Sequence, residues 1–161
     1  MNQVFSQGDR VGGGVVDTVP GQLVRFNTWF PASPEQVFAF FGNHEQFGTL
    51  WPGVTRRLRA GEDPAQPDGL GSVRENRSGG SSLEETITRY EPSSLIEYRV
   101  TKGSPVKNHL GRLLFTADNG GTRMVYTIAF DGKVRGTGWL IALYLRVVFR
   151  MGLRRMRGQT F

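Results

Sequence analysis

The spacing of apolar residues changes period twice along the chain. Leu23 to Phe30 alternates, with Val24, Phe26 and Phe30 on one side and Arg25 and Asn27 on the other, which predicts a strand broken at Pro31. Ser33-Pro34-Glu35-Gln36 then has the form of a helix start. Ser33 can cap, Pro34 suits the first turn, Glu35 favours the positive end of the dipole, and Gln36 completes a capping box. Val37, Phe38, Phe40 and Phe41 give this helix an aromatic face that must stop near Gly42-Asn43. A second short helix is expected from His44 to Leu50, because Pro52 disfavours helix at Trp51.

From Val54 onward the period is two. Val54–Ala60, Gly71–Ser78, Leu83–Tyr90, Leu95–Lys102, His109–Thr116 and Thr122–Phe130 are successive strand candidates separated by turn-forming residues, with a looser loop at Gly61 to Leu70. The last hairpin can be registered by counting. Asn119-Gly120 favours a two-residue type I′ turn, which sets Asp118 opposite Gly121, Phe115 opposite Met124, Leu113 opposite Tyr126 and Gly111 opposite Ile128. The other parity pairs Thr116 with Arg123 and Arg112 with Thr127, so one face is apolar and the other wet.

The period returns to helical from Gly138 to Arg157, a segment about 30 Å long if continuous. Arg146, Arg150, Arg154 and Arg157 share a stripe, Leu143, Val147 and Met151 hold an adjacent face, and Trp139 to Leu145 is apolar nearly all round. Residues 1–21, with Gly12-Gly13-Gly14 and Pro20-Gly21, read as a flexible leader to a single domain at 22–161.

One strand, two short helices, a six-strand meander and a long final helix follow the order of a helix-grip fold. The chain resembles the START/SRPBCC superfamily, in its polyketide cyclase/dehydrase and lipid-transport branch. The resemblance is carried by Pro31-Ala32-Ser33-Pro34-Glu35-Gln36-Val37-Phe38, Trp51-Pro52-Gly53-Val54, Gly69 to Val73, Glu85 and Ile87 with Tyr90-Glu91-Pro92, Tyr98-Arg99-Val100, and Gly120-Gly121-Thr122-Arg123. It covers roughly residues 22–157. It implies an α+β fold in which a curved seven-stranded antiparallel sheet wraps the C-terminal helix, with two short helices between strands 1 and 2. It also implies a space for a hydrophobic ligand, but carries no universal catalytic motif.

Composition narrows the chemistry. The 161 residues suffice for one core, and the absence of cysteine excludes disulfides, thiolate metal sites and Cys nucleophiles. With only His44 and His109, neither a metal nor another cofactor is expected. No GxGxxG opens a helix after a strand and there is no Walker lysine, so phosphate-cradling loops are unsupported. No apolar run approaches a membrane span and the first residues lack a secretory pattern, so a cytoplasmic protein is the default expectation. The net charge of +6 is concentrated: from Gly138 onward there are arginines and no acid, while the rest is nearly neutral.

The apolar parity places Phe26, Phe30, Ile87, Leu113, Phe115, Met124 and Ile128 on the inner face, with Leu143, Val147 and Met151 closing the space from the helix. They either pack on one another or line a pocket for a lipid, polyketide or sterol-like molecule. Polar groups of the same parity carry more information, because burial without a partner is costly. Tyr98 and Tyr126 could anchor a ligand through their hydroxyls, and Glu85, with Arg56 as its expected partner, is a candidate acid or base. His109 falls on the inner parity near a strand end and could serve as a base. Three functions stay open: carriage of a hydrophobic molecule, a cyclase, aromatase or dehydratase reaction using these groups, and regulation through contact of Arg146, Arg150, Arg154 and Arg157 with an anionic membrane. Nucleic acid is disfavoured, since neither interleaved stacking residues nor a known module accompanies the arginines.

Overall fold

The structure is a computed structural model that describes residues 21–156. The leader, apart from Gly21, and Arg157 therefore lie outside the described residues. The elements run β1 (Gln22–Phe30), α1 (Pro34–Gly42), α2 (His44–Gly48), β2 (Val54–Arg59), β3 (Val73–Ser78), β4 (Ser81–Glu91), β5 (Leu95–Lys102), β6 (Val106–Asp118), β7 (Gly121–Gly132) and α3 (Gly138–Arg155). The strands form one antiparallel sheet in the order β1-β7-β6-β5-β4-β3-β2, so the first strand pairs with the last and the meander follows from there. This is the α+β helix-grip architecture.

Local signals in the sequence produce these elements. Ser33 Oγ accepts from the Gln36 N–H while Gln36 Oε1 accepts from the Ser33 N–H, the reciprocal capping box that starts α1. Asn43 ends α1 and caps α2 through its Oδ1, which accepts from the Gln46 N–H. Asn119 and Gly120 take φ of 49° and 76°, as a type I′ turn requires, and all the pairs counted outward from that turn are present.

The core sits between the sheet and the helices. Phe149 is fully buried, with its ring centroid 4.4 Å from Phe26, 4.9 Å from Tyr126 and 5.4 Å from Trp51. Burial of one such side chain stabilises by about 1.5–3 kcal/mol. Phe41 and Phe47 extend the cluster toward Phe30 and Phe115. A Cβ on Gly152 would stand 2.3 Å from the Leu50 carbonyl oxygen, so only glycine lets α3 approach the end of α2 this closely.

The inward stripe of α3 is Ala142, Phe149 and Gly152, flanked by half-buried Ile141, Leu145 and Leu153. Leu143, Val147 and Met151, expected to close the space, are each about half exposed on the opposite side. The expectation followed the stripe beside the arginines, but sheet contact is set by the small and aromatic residues a quarter turn and more away. Arg56 also differs from expectation. The β2–β3 register sets Arg56 opposite Glu75 and Arg57 opposite Arg74, so Arg56 lies on the outer face, with its side chain 57% exposed.

Candidate functional site

A pocket of about 440 Å³ lies between the N-terminal half of α3 and the β3–β7 part of the sheet. Its buried walls are Glu85, Tyr98, Val106, His109, Ile128 and Phe130. Exposed Pro52, Ser81, Pro105, Leu140 and Tyr144 form the rim, and half-buried Trp51, Leu83, Val100, Ile141 and Leu145 lie between rim and floor. The volume falls within the range of about 300–1,000 Å³ usual for small-molecule sites.

The floor rests on a buried ion pair. Arg74 Nε donates to Glu85 Oε2 at 2.7 Å, and Asn76 Nδ2 donates to the same oxygen at 3.0 Å. Arg74 is 2% exposed and lies against two rings, its guanidinium carbon 4.4 Å from the Phe47 centroid and 4.7 Å from that of Tyr98. Burial works against its charge, and the Glu85 carboxylate together with the Tyr98 and Tyr126 hydroxyls outweighs that effect, so its pKa is raised. Glu85 Oε1 has no protein donor among the described residues.

His109 is held in one tautomer. Its Nδ1 accepts from the Val100 N–H at 3.2 Å, so the proton of the neutral ring sits on Nε2. Burial lowers its pKa, with Glu85 acting in the opposite sense, and the ring is neutral at neutral pH. The Tyr98 hydroxyl is hydrogen-bonded to that of Tyr126, and burial pushes both phenols well above their ordinary range. A Cβ on Gly111 would fall 2.2 Å from the Tyr98 ring, which explains why glycine lies beneath it.

Of the residues expected at a ligand site, Glu85, Tyr98, His109 and Ile128 line the pocket. Phe26, Phe30, Ile87, Leu113, Phe115, Met124 and Tyr126 are buried in the packed core beside it. Arg56, Leu143, Val147 and Met151 are on the surface, and the cation expected from Arg56 comes from Arg74. Arg74 and Asn76 were missed, although a signal existed. Gly79-Gly80 forms a two-residue turn with both φ positive, and counting outward from it pairs Asn76 with Leu83 and Arg74 with Glu85.

A second polar cluster lies under α2. His44 Nε2 is 3.3 Å from Ser72 Oγ, and Nδ1 stands 3.3 Å from Asp68 Oδ1 without hydrogen-bond alignment. Asp68 also accepts from the His44 backbone N–H at 3.0 Å and from Arg57 Nη1 at 2.7 Å. The order of groups is that of a nucleophilic relay. Ser72, however, has no exposed surface and does not line the pocket, so no substrate reaches it. The cluster instead ties the 61–72 loop to the start of α2.

Residues 24–159 match the sequence profile of a family described as polyketide cyclase / dehydrase and lipid transport. The chain belongs to that family. Its place within the START/SRPBCC superfamily is also supported by fold. The Aha1 dimer from Colwellia psychrerythraea superposes with a TM-score of 0.61 at 14% identity, covering 84% of this chain and 95% of that one. The Bacillus cereus protein XoxI gives 0.63 at 14%, covering 82% and 90%. Ara h 8.0201 gives 0.61 at 10%, covering 86% and 99%. No curated protein sequence matches the chain. At such identities the polyketide cyclase/dehydrase family shares a backbone with these structures, and the contents of each pocket are its own.

Proposed function

We propose that the protein binds an uncharged, largely apolar small molecule bearing a hydroxyl or enol group, held with its polar end at Glu85 and His109. The observation that carries this reading is the pairing of an apolar pocket with a polar floor on which Glu85 Oε2 and His109 Nδ1 already have protein partners. Glu85 Oε2 takes Arg74 and Asn76, which leaves Oε1 to accept one hydroxyl. His109 Nδ1 is occupied by Val100, which leaves the Nε2 proton to donate to a carbonyl or ether oxygen. A carboxylate ligand would meet the Glu85 charge in a poorly solvated space, and that repulsion favours neutral ligands. Family membership supports the hydrophobic character of the ligand.

Displacement of an apolar fluorescent probe tests this. 1-Naphthol should displace the probe at least tenfold more tightly than 1-naphthoate, and Glu85→Gln should reduce that preference. Equal displacement by both compounds, or no probe binding at all, would overturn the reading.

A cyclase-type reaction is the second reading, favoured by a free carboxylate oxygen and a neutral imidazole donor lining the same pocket. Glu85 would take a proton from the carbon next to a ligand carbonyl, His109 Nε2–H would stabilise the enolate oxygen, and the carbanion would attack a second carbonyl of the same chain, whose oxygen would take the proton back from Glu85 to give a hydroxyl. Tyr98 and Tyr126 do not supply the base, because their hydroxyls are satisfied by each other and held protonated. Turnover of a poly-carbonyl substrate that survives Glu85→Gln and His109→Phe would exclude this chemistry.

A further inference from the structure

The outer face of α3 carries Trp139, Leu140, Leu143, Tyr144, Val147 and Met151, each between 48% and 58% exposed. Soluble domains seldom leave so many large apolar side chains contiguous on one helix face, and such a patch marks a surface that is covered in use. The charged residues from Lys133 to the end of the helix all have one sign. Lys133 and Arg135 precede the helix, Arg146, Arg150, Arg154 and Arg155 lie along its second half, and no acid occurs after Asp131. Arg146 is half-buried and donates to the Leu23 carbonyl at 3.4 Å, which keeps it beside the patch.

We infer that this face docks on the surface of an anionic lipid bilayer, with α3 lying parallel to it. Charge decides among occupants. A second copy of the chain would bring the arginine rows against each other, whereas an anionic lipid surface complements every cation on the face. Trp139 and Tyr144 suit the headgroup level, and the aliphatic residues the boundary below it. Among the described residues no helix is long and apolar enough to cross a membrane, so α3 lies on the bilayer rather than spanning it.

The docking face and the pocket share an edge. Leu140 and Tyr144 belong to both the exposed patch and the pocket rim. Docking therefore brings the mouth to the lipid surface, and an apolar ligand passes between bilayer and floor without crossing bulk water. This last step rests on the ligand-binding reading above, while docking does not.

The full chain is sedimented with vesicles of phosphatidylcholine alone, or of phosphatidylcholine with phosphatidylglycerol, at low and high salt. Binding is expected to the mixed vesicles and to weaken with salt. R146Q/R150Q/R154Q should lower it by roughly tenfold or more, and L143S/V147S by a similar factor. Both variants avoid the pocket lining, so both should still take up an apolar fluorescent probe in solution. Absence of binding to mixed vesicles, or equal binding by the triple variant, overturns the inference. So does a stable dimer in solution that L143S/V147S disperses, or binding to an acidic protein in place of lipid. Vesicle binding without probe uptake upholds docking and removes the ligand reading.

Discussion

The space between the sheet and α3 is filled at one end and open at the other. Toward the C-terminal half of α3, Phe149 meets Phe26, Tyr126 and Trp51 at ring distances of 4.4 to 5.4 Å. Toward the N-terminal half the facing residues are Ile141 and Leu145, and the sheet contributes Leu83, Val100 and the serines of two hairpins, which leave about 440 Å³ unfilled. The same curvature underlies both ends. Side-chain size decides whether it becomes core or pocket, and the aromatic end supplies the rigidity against which the open end keeps its shape.

Removing an aromatic from the filled end should have the largest effect. Phe149→Ala should lower stability by about 3–5 kcal/mol in urea unfolding, whereas Leu145→Ala, at a wall already open to the pocket, should cost much less. Equal losses would mean that the two ends are packed alike.

The boundary between the ends is polar and should respond next. Arg74→Met strands the Glu85 carboxylate and should cost about 3–4 kcal/mol, while R74M/E85Q should regain much of the loss. If the double variant is no better than the single one, Arg74 acts through its ring contacts with Phe47 and Tyr98 and not through charge.

Acid sensitivity should be centred outside the pocket, beneath α2. Burial and, secondarily, the Arg74 charge hold His44 neutral down to about pH 4 against an ordinary 6.5, opposed by Asp68 and Glu85. The unfolded chain therefore binds the extra proton first as pH falls. Stability is full above about 6.5 and declines toward 4, by up to about 3 kcal/mol for this group. Asp68 has a lowered pKa, its burial being outweighed by hydrogen bonds from the His44 N–H and Arg57, so its contribution is lost only below the His44 window. His44→Gln should flatten the urea midpoint between pH 7 and pH 4.5, and an unchanged slope would assign the effect elsewhere.

The strands, the Ser33 cap and the β6–β7 register were legible because each depends on neighbours in sequence: Ser33 with Gln36, or Asn119-Gly120 with the residues counted outward. The site was only half legible. Glu85 and His109 were reached by parity within their own strands, and the two-residue turn at Gly79-Gly80 would have given Arg74 by the same counting. The inward face of α3 was not reachable this way. Two apolar stripes compete on that helix, and the choice between them rests on Gly152 meeting Leu50 and on Phe149 meeting Phe26, contacts between segments far apart in the chain.

The smallest expected change in stability belongs to the most direct test. Val100→Trp places a ring into the open end while leaving the aromatic end untouched. Apolar probe binding, titrated by fluorescence, should weaken at least tenfold while the urea midpoint moves by less than about 1 kcal/mol equivalent. Unchanged probe affinity in this variant would show that the ligand does not occupy the space between sheet and helix.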